Sequence, residues 1–96
     1  MIATFGDKVT EAVFHGEPVT LVRRFPADVL RSAIRKLDVL NAARVLSELN
    51  APPGNRLEAL KGDLEGFHSI RVNDQWRLVF RWEGTDAYDV RLADYR

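Results

Sequence analysis

Four arginines in the second half of the chain, Arg71, Arg77, Arg81 and Arg91, alternate with bulky apolar residues. A guanidinium is a planar fork of donors that matches the oxygens of a phosphate, so four of them on one surface could bind a phosphodiester. Successive side chains of a strand point to opposite faces, and this parity puts all four on the sheet face opposite the apolar set, with Lys61 entering from the preceding turn. Two readings stay open: a solvated face salt-bridged to Asp89, Glu83 and their neighbours, or a site for phosphates. Other chemistry is scarce. The chain has no cysteine, which excludes a thiolate nucleophile, a disulfide and any Cys-ligated metal. His15 and His68 are too far apart to suggest a metal site, and no metal or other cofactor is expected. His15 reads as a helix-end residue, and His68 shares the parity of Ile70 and Val72 and reads as partly buried. Trp76, Phe80 and Trp82 could stack on bases, but their spacing on the apolar face reads as core.

These groups must be positioned by an α+β fold, with two to three helices packed on one face of a small antiparallel sheet. Ile2 to Phe5 is a candidate short strand. Asp7 is placed to cap a helix running to about Phe14, with Val9, Ala12 and Val13 on one side and Gly16 and Pro18 as the stop. Pro26 suits the first turn of a longer helix, whose stripe of Val29, Leu30, Ala33, Ile34, Leu37 and Leu40 reaches about Asn41. A last helical turn carries Val45, Leu46 and Leu49 into the breaker Ala51-Pro52-Pro53-Gly54-Asn55. On this helical half, Arg31, Arg35 and Lys36 either meet an acidic partner segment or solvate their face.

Beyond Gly54 the apolar period drops from about 3.6 to 2. Arg56 to Leu60 reads as a strand, followed by a turn at Lys61-Gly62-Asp63. His68, Ile70 and Val72 lie on one face of the next strand. Asn73-Asp74 is expected to make a two-residue connection in the left-handed conformation. Gln75 to Trp82 sets Trp76, Leu78, Phe80 and Trp82 against Arg77, Val79 and Arg81. After the turn Gly84-Thr85-Asp86, Ala87 to Tyr95 is expected to set Tyr88, Val90 and Leu92 against Asp89, Arg91 and Ala93.

Composition bounds what such a domain can be. The 96 residues are 46% hydrophobic and 29% charged, far from the signature of disorder, and suffice for a single domain, residues 1–96. No apolar run approaches the ~18 residues of a membrane span, and Met1 to Asp7 lacks a leader pattern, so a cytoplasmic protein is expected. Fourteen Lys and Arg balance fourteen Asp and Glu. Bulk charge therefore argues against non-specific nucleic-acid binding.

The run Pro52-Pro53-Gly54-Asn55-Arg56-Leu57-Glu58-Ala59-Leu60-Lys61-Gly62-Asp63, then Ser69 through Trp82, and the closing Asp94-Tyr95 resemble the HigB toxins, also called host-killing or proteic killer proteins, of the RelE superfamily. The likeness spans the chain and is strongest from Pro52 onward. It implies a bacterial type II toxin with a compact RelE-like fold that cuts mRNA in the ribosomal A site. It also implies a HigA-type helix-turn-helix antitoxin as partner, with operator DNA bound only through that antitoxin.

The implied reaction is metal-free attack of a ribose 2′-OH on the adjacent phosphate, which needs a base, cations for the developing charge and an acid for the leaving oxygen. Carried over by position, the resemblance places catalysis at Glu58, Lys61, Arg77, Asp94 and Tyr95; Arg96 at the last position is expected to add catalytic charge for the phosphate, and Arg56, Arg71, Arg81 and Arg91 are the RNA-binding candidates. Two positions depart from the family pattern: Glu58 stands where some relatives have His, and Arg96 replaces the usual final His. Arginine stays charged and exchanges no protons near neutrality. The alternative is therefore a catalytically weakened relative that acts mainly by binding antitoxin and regulating its own transcription.

Overall fold

The element order follows from two helical segments and four strands, seen in a computed structural model that describes residues 1–17, 23 and 25–94. Helix α1 (Lys8–His15) begins at Asp7, whose Oδ1 accepts from the Thr10 amide at 2.8 Å. It ends at Gly16, which takes the left-handed φ of 68° that lacks a Cβ penalty. Pro18, the other half of the expected stop, lies outside the described residues. Helix α2 (Ala27–Ala42) has Pro26 at its cap rather than in its first turn. Its buried stripe is Val29, Ala33, Leu37 and Leu40, while Ile34 falls outside it and is 39% exposed. The last expected helical turn is a 3-10 turn, Leu46–Asn50, that buries Leu49.

The breaker is tied down by Asn55, which is fully buried. Its Nδ2 donates to the carbonyls of Leu49 at 3.2 Å and Ala51 at 3.1 Å, and its Oδ1 accepts from the Lys36 ammonium of α2. Arg56 then adopts a left-handed φ of 46° and turns the chain toward the sheet. The expected strand from Arg56 to Leu60 is thereby shortened to β1 (Glu58–Ala59), although the Leu60 amide still reaches the Phe67 carbonyl at 2.9 Å.

Strands β2 (Phe67–Arg71), β3 (Trp76–Glu83) and β4 (Asp86–Asp94) complete a four-stranded antiparallel sheet in the order β1-β2-β3-β4. Two expectations are corrected here. The β2–β3 connection is not a two-residue left-handed turn but spans Val72 to Gln75, with no positive φ at Asn73 or Asp74. The Asn73 side chain organises it, since Oδ1 accepts from the amides of Gln75 at 2.9 Å and Trp76 at 2.7 Å. On β4, Tyr88 does not share a face with Val90 and Leu92. The register shifts between Val79 and Arg81, and Asp89 takes a φ of 55°; this bulge pairs Tyr88 with Arg81 and turns the fully buried Ala87 into the core.

Residues 2–5 make two isolated parallel bridges to β4, Ile2 with Ala87 and Phe5 with Val90, instead of a strand. Gly6 permits this approach, because a Cβ there would lie 2.8 Å from the Asp89 carbonyl oxygen. From the other side, the buried Thr10 hydroxyl accepts from the Leu92 amide at 2.8 Å and joins α1 to β4. Both helices cover one sheet face: Val13, Ala33, Leu37 and Leu40 meet Ile70, Leu78, Phe80, Val90 and Leu92 in the core. This is the α+β arrangement expected from the two periodicities.

Candidate functional site

The strand register lays out the opposite face in three rows. The first is Arg71, Arg77 and Ala93; the second is Glu58, Ser69, Val79 and Arg91; the third is Phe67, Arg81 and Tyr88. Arg71 and Arg77 are a direct cross-strand pair, so their Cα atoms are about 5 Å apart, and Arg91 is diagonal to Arg77. Glu58 reaches the same face from the sheet edge. Val79 in the middle is fully buried, with Arg77 and Arg81 two residues to either side on β3 and Arg91 opposite on β4.

These arginines differ in how they are satisfied. Arg81 donates through Nε to Asp89 at 2.8 Å and lies 3.9 Å from Glu83, with Tyr88 beneath it at 5.7 Å from guanidinium to ring centre. The Asp89 hydrogen bond, reinforced by the charges of Asp89 and Glu83, holds Arg81 even more firmly protonated than usual. Arg71 pairs with Asp74 at the hairpin tip, whose side chain is 98% exposed. The Nε of Arg91 is buried and meets no acceptor among the described residues.

Other assigned residues lie apart from the Arg71–Arg77 row. Lys61 is exposed and follows Leu60, opposite the Phe67 end of β2. Arg56 is exposed in the bend before β1. Asp94 is the register partner of Trp76 and accepts from the Gln75 side chain at 3.3 Å, so it belongs to the end of the sheet and to the parity of the helix side. Tyr95 and Arg96 lie outside the described residues. His68 stacks on Phe80 at 6.1 Å on the core side and His15 sits against Phe14 at 5.3 Å, so no imidazole shares the arginine face.

Sequence reasoning left Lys36 among solvated helix residues. The structure instead half-buries it against Asn55, and its ammonium is pushed below the usual lysine value by burial first, then by the charges of Arg35 and Arg71. Helical spacing carries no signal for a contact that depends on where the breaker lands. Among the described residues no group of three or more His, Cys, Asp or Glu side chains could hold a metal ion, and no helix is long and apolar enough to cross a membrane.

The geometry is that of an α+β fold whose second sheet face carries arginines. Residues 3–95 match the family described as the RelE-like toxin of type II toxin-antitoxin system HigB. The chain is 43% identical over 96 residues to Toxin HigB-1 of Vibrio cholerae, covering 100% of this chain and 99% of that protein. It is 33% identical over 95 residues to Endoribonuclease HigB of Proteus vulgaris, covering 99% of each. The fold is similar to that of the YoeB-YefM complex from Staphylococcus aureus, at a TM-score of 0.62 and 14% identity over 100% of this chain and 98% of that one. It is also similar to HP0894 from Helicobacter pylori, at a TM-score of 0.58 and 21% identity over 99% and 96% of the two chains. The chain belongs to the HigB-like toxin family of type II toxin-antitoxin systems.

Proposed function

We propose that the chain is a toxin that arrests translation by cutting mRNA in the ribosomal A site, acting as a single cytoplasmic domain held in check by a HigA-type antitoxin. The observation that carries this reading is the cross-strand pair Arg71–Arg77 with Arg91 beside it, on the face that Glu58 enters from the edge. Family membership and the relative named an endoribonuclease support it. So does the unsatisfied Arg91 Nε, since a buried unpaired donor costs about 1–3 kcal/mol that a phosphate oxygen would offset.

In this reading Glu58 takes the proton from the ribose 2′-OH, the 2′-oxygen bonds to the adjacent phosphorus, and the bond to the 5′-oxygen breaks. The products are a 2′,3′-cyclic phosphate and a 5′-hydroxyl. Arg77, with Lys61 and Arg96, neutralises the charge that builds on the phosphate, and Tyr95 or a group of the ribosomal RNA protonates the leaving oxygen. Asp94, a further catalytic group of this reading, accepts from the Gln75 side chain. Arg56, Arg71, Arg81 and Arg91 guide the strand, Arg81 only after exchanging Asp89 for a phosphate. A formal net charge of zero makes binding of free RNA weak, so the ribosome must deliver the substrate.

The test is induced expression without antitoxin, with cleaved mRNA mapped on ribosomes. Growth arrest and in-frame cuts are expected; absence of both refutes the proposal. A second reading, a weakened toxin that mainly binds its antitoxin and through it operator DNA, is favoured by one observation: neither histidine shares the arginine face. Arg96→His separates the two. Little change is expected if Glu58 is the base, whereas a gain approaching the ~10²-fold of a restored general acid or base would favour the second reading.

A further inference from the structure

Lys36 is a cation of α2 whose charged neighbours include Arg71 of the arginine face. Strand β1 pairs with Ser69 and His68, and the 3-10 turn Pro53–Asn55 also lies against β2. Lys36 reaches that turn from α2 and donates to Asn55, itself locked by two backbone carbonyls. An ammonium has three donors, so two remain after this bond. No carboxylate lies within ion-pair distance of Lys36 among the described residues, and the charges acting on it are those of Arg35 and Arg71. Lys36 has no carboxylate of its own and Arg71 has only the exposed Asp74, so an anion between the two cations would relieve their repulsion. Arg71 can turn to such an anion easily, because its partner Asp74 is almost fully exposed and such a pair is weak.

We propose that Lys36 and Arg71 form a second phosphate site beside Arg77, which holds the backbone of the substrate RNA one nucleotide step from the phosphate being cut. The site rests on the endoribonuclease reading above. The direct opposition of Arg71 and Arg77 sets the spacing of the two sites, and the Asn55 anchor sets the position of Lys36 before RNA arrives. Lys36 acts on binding and register; the bond-breaking chemistry stays with the groups around Arg77.

The experiment compares wild type with Lys36→Met, Lys36→Arg and Arg71→Gln in two assays. The first is cleavage of mRNA on programmed ribosomes at several salt concentrations. The second is fluorescence anisotropy, at low salt, of a single-stranded RNA hexamer blocked by 2′-O-methyl groups. Lys36→Met and Arg71→Gln should each weaken hexamer binding several-fold and flatten its logarithmic salt dependence by about 0.7, the contribution of one phosphate on a single strand. On ribosomes they should raise KM with kcat little changed, and Lys36→Arg should restore both. Arg71→Gln leaves the Asn55 anchor intact, so its loss cannot be laid to misfolding of the breaker.

A hexamer that Lys36→Met binds as well as wild type, with the same salt slope, overturns the site. So does weaker binding to ribosomes without mRNA alone, which assigns the cation to ribosomal RNA, or weaker binding of antitoxin alone, which assigns it to a protein partner. If wild type cuts no RNA on ribosomes, the functional reading fails by itself, while the hexamer measurement still decides the fate of the site.

Discussion

The two faces of the sheet are built from alternate residues of the same strands, yet they obey different rules. On the helix side, Ile70, Leu78, Phe80 and Val90 are fully buried, and the Leu92 amide donates to the buried Thr10 hydroxyl. That face gains by excluding water, and its residues are exchangeable only at the level of volume. On the other side, Val79 is equally buried, but its neighbours in the register are arginines, Arg91 across from it and Arg77 and Arg81 two residues along β3. That face sets Arg71 opposite Arg77 with Arg91 diagonal to it, and gives Arg71 and Arg81 carboxylate partners. One strand thus gives its even positions to the core and its odd ones to the arginine face.

The sharpest way to break this division is Arg77→Ala. Cleavage and toxicity should fall by about 100-fold or more, as for loss of a group that stabilises transition-state charge, while the melting temperature stays close to wild type. A large drop in melting temperature would show that the arginine face carries stability as well. Phe80→Ala addresses the other face and should cost about 3–5 kcal/mol in urea unfolding through the cavity it leaves. Thr10→Val is a smaller test of the same face: the buried Leu92 amide loses its acceptor, at a cost of about 1–3 kcal/mol with activity per folded molecule unchanged.

The least of the effects lies where the faces meet. Burial, Arg35 and Arg71 hold the Lys36 ammonium below the usual lysine value. Between that lowered value and the ordinary one the unfolded chain binds more protons than the folded chain, so stability rises with pH across this window. The stability difference between wild type and Lys36→Met should accordingly move in favour of wild type as pH increases through it. A difference that is flat with pH would mean that Lys36 is not crowded by its neighbours.

Much of this organisation was legible residue by residue. Alternation of Trp76, Leu78, Phe80 and Trp82 with Arg77, Val79 and Arg81 identified both faces of β3, since side-chain parity in a regular strand is set by the backbone alone. Parity failed on β4, because the bulge at Asp89 adds a residue without any change in the hydrophobic pattern, and Tyr88 changed sides. Of the arginines, Arg81 and Arg71 are salt-bridged, to Asp89 and Asp74, while the register brings Arg71, Arg77 and Arg91 into adjacent rows.

By itself the sequence determined the classes of residue, the two periodicities, the breaker between them and the family motif from Pro52 onward, because each depends only on neighbours along the chain. Three features were decided by tertiary structure alone: the length of β1, the partner of each arginine and the reach of Lys36 to Asn55 and the charge of Arg71. The Arg81–Asp89 pair depends on the bulge in β4, and the length of β1 and the reach of Lys36 depend on where the 3-10 turn Pro53–Asn55 meets β2. That meeting is set by the packing of α2 against the sheet, a contact between distant residues that no local pattern records.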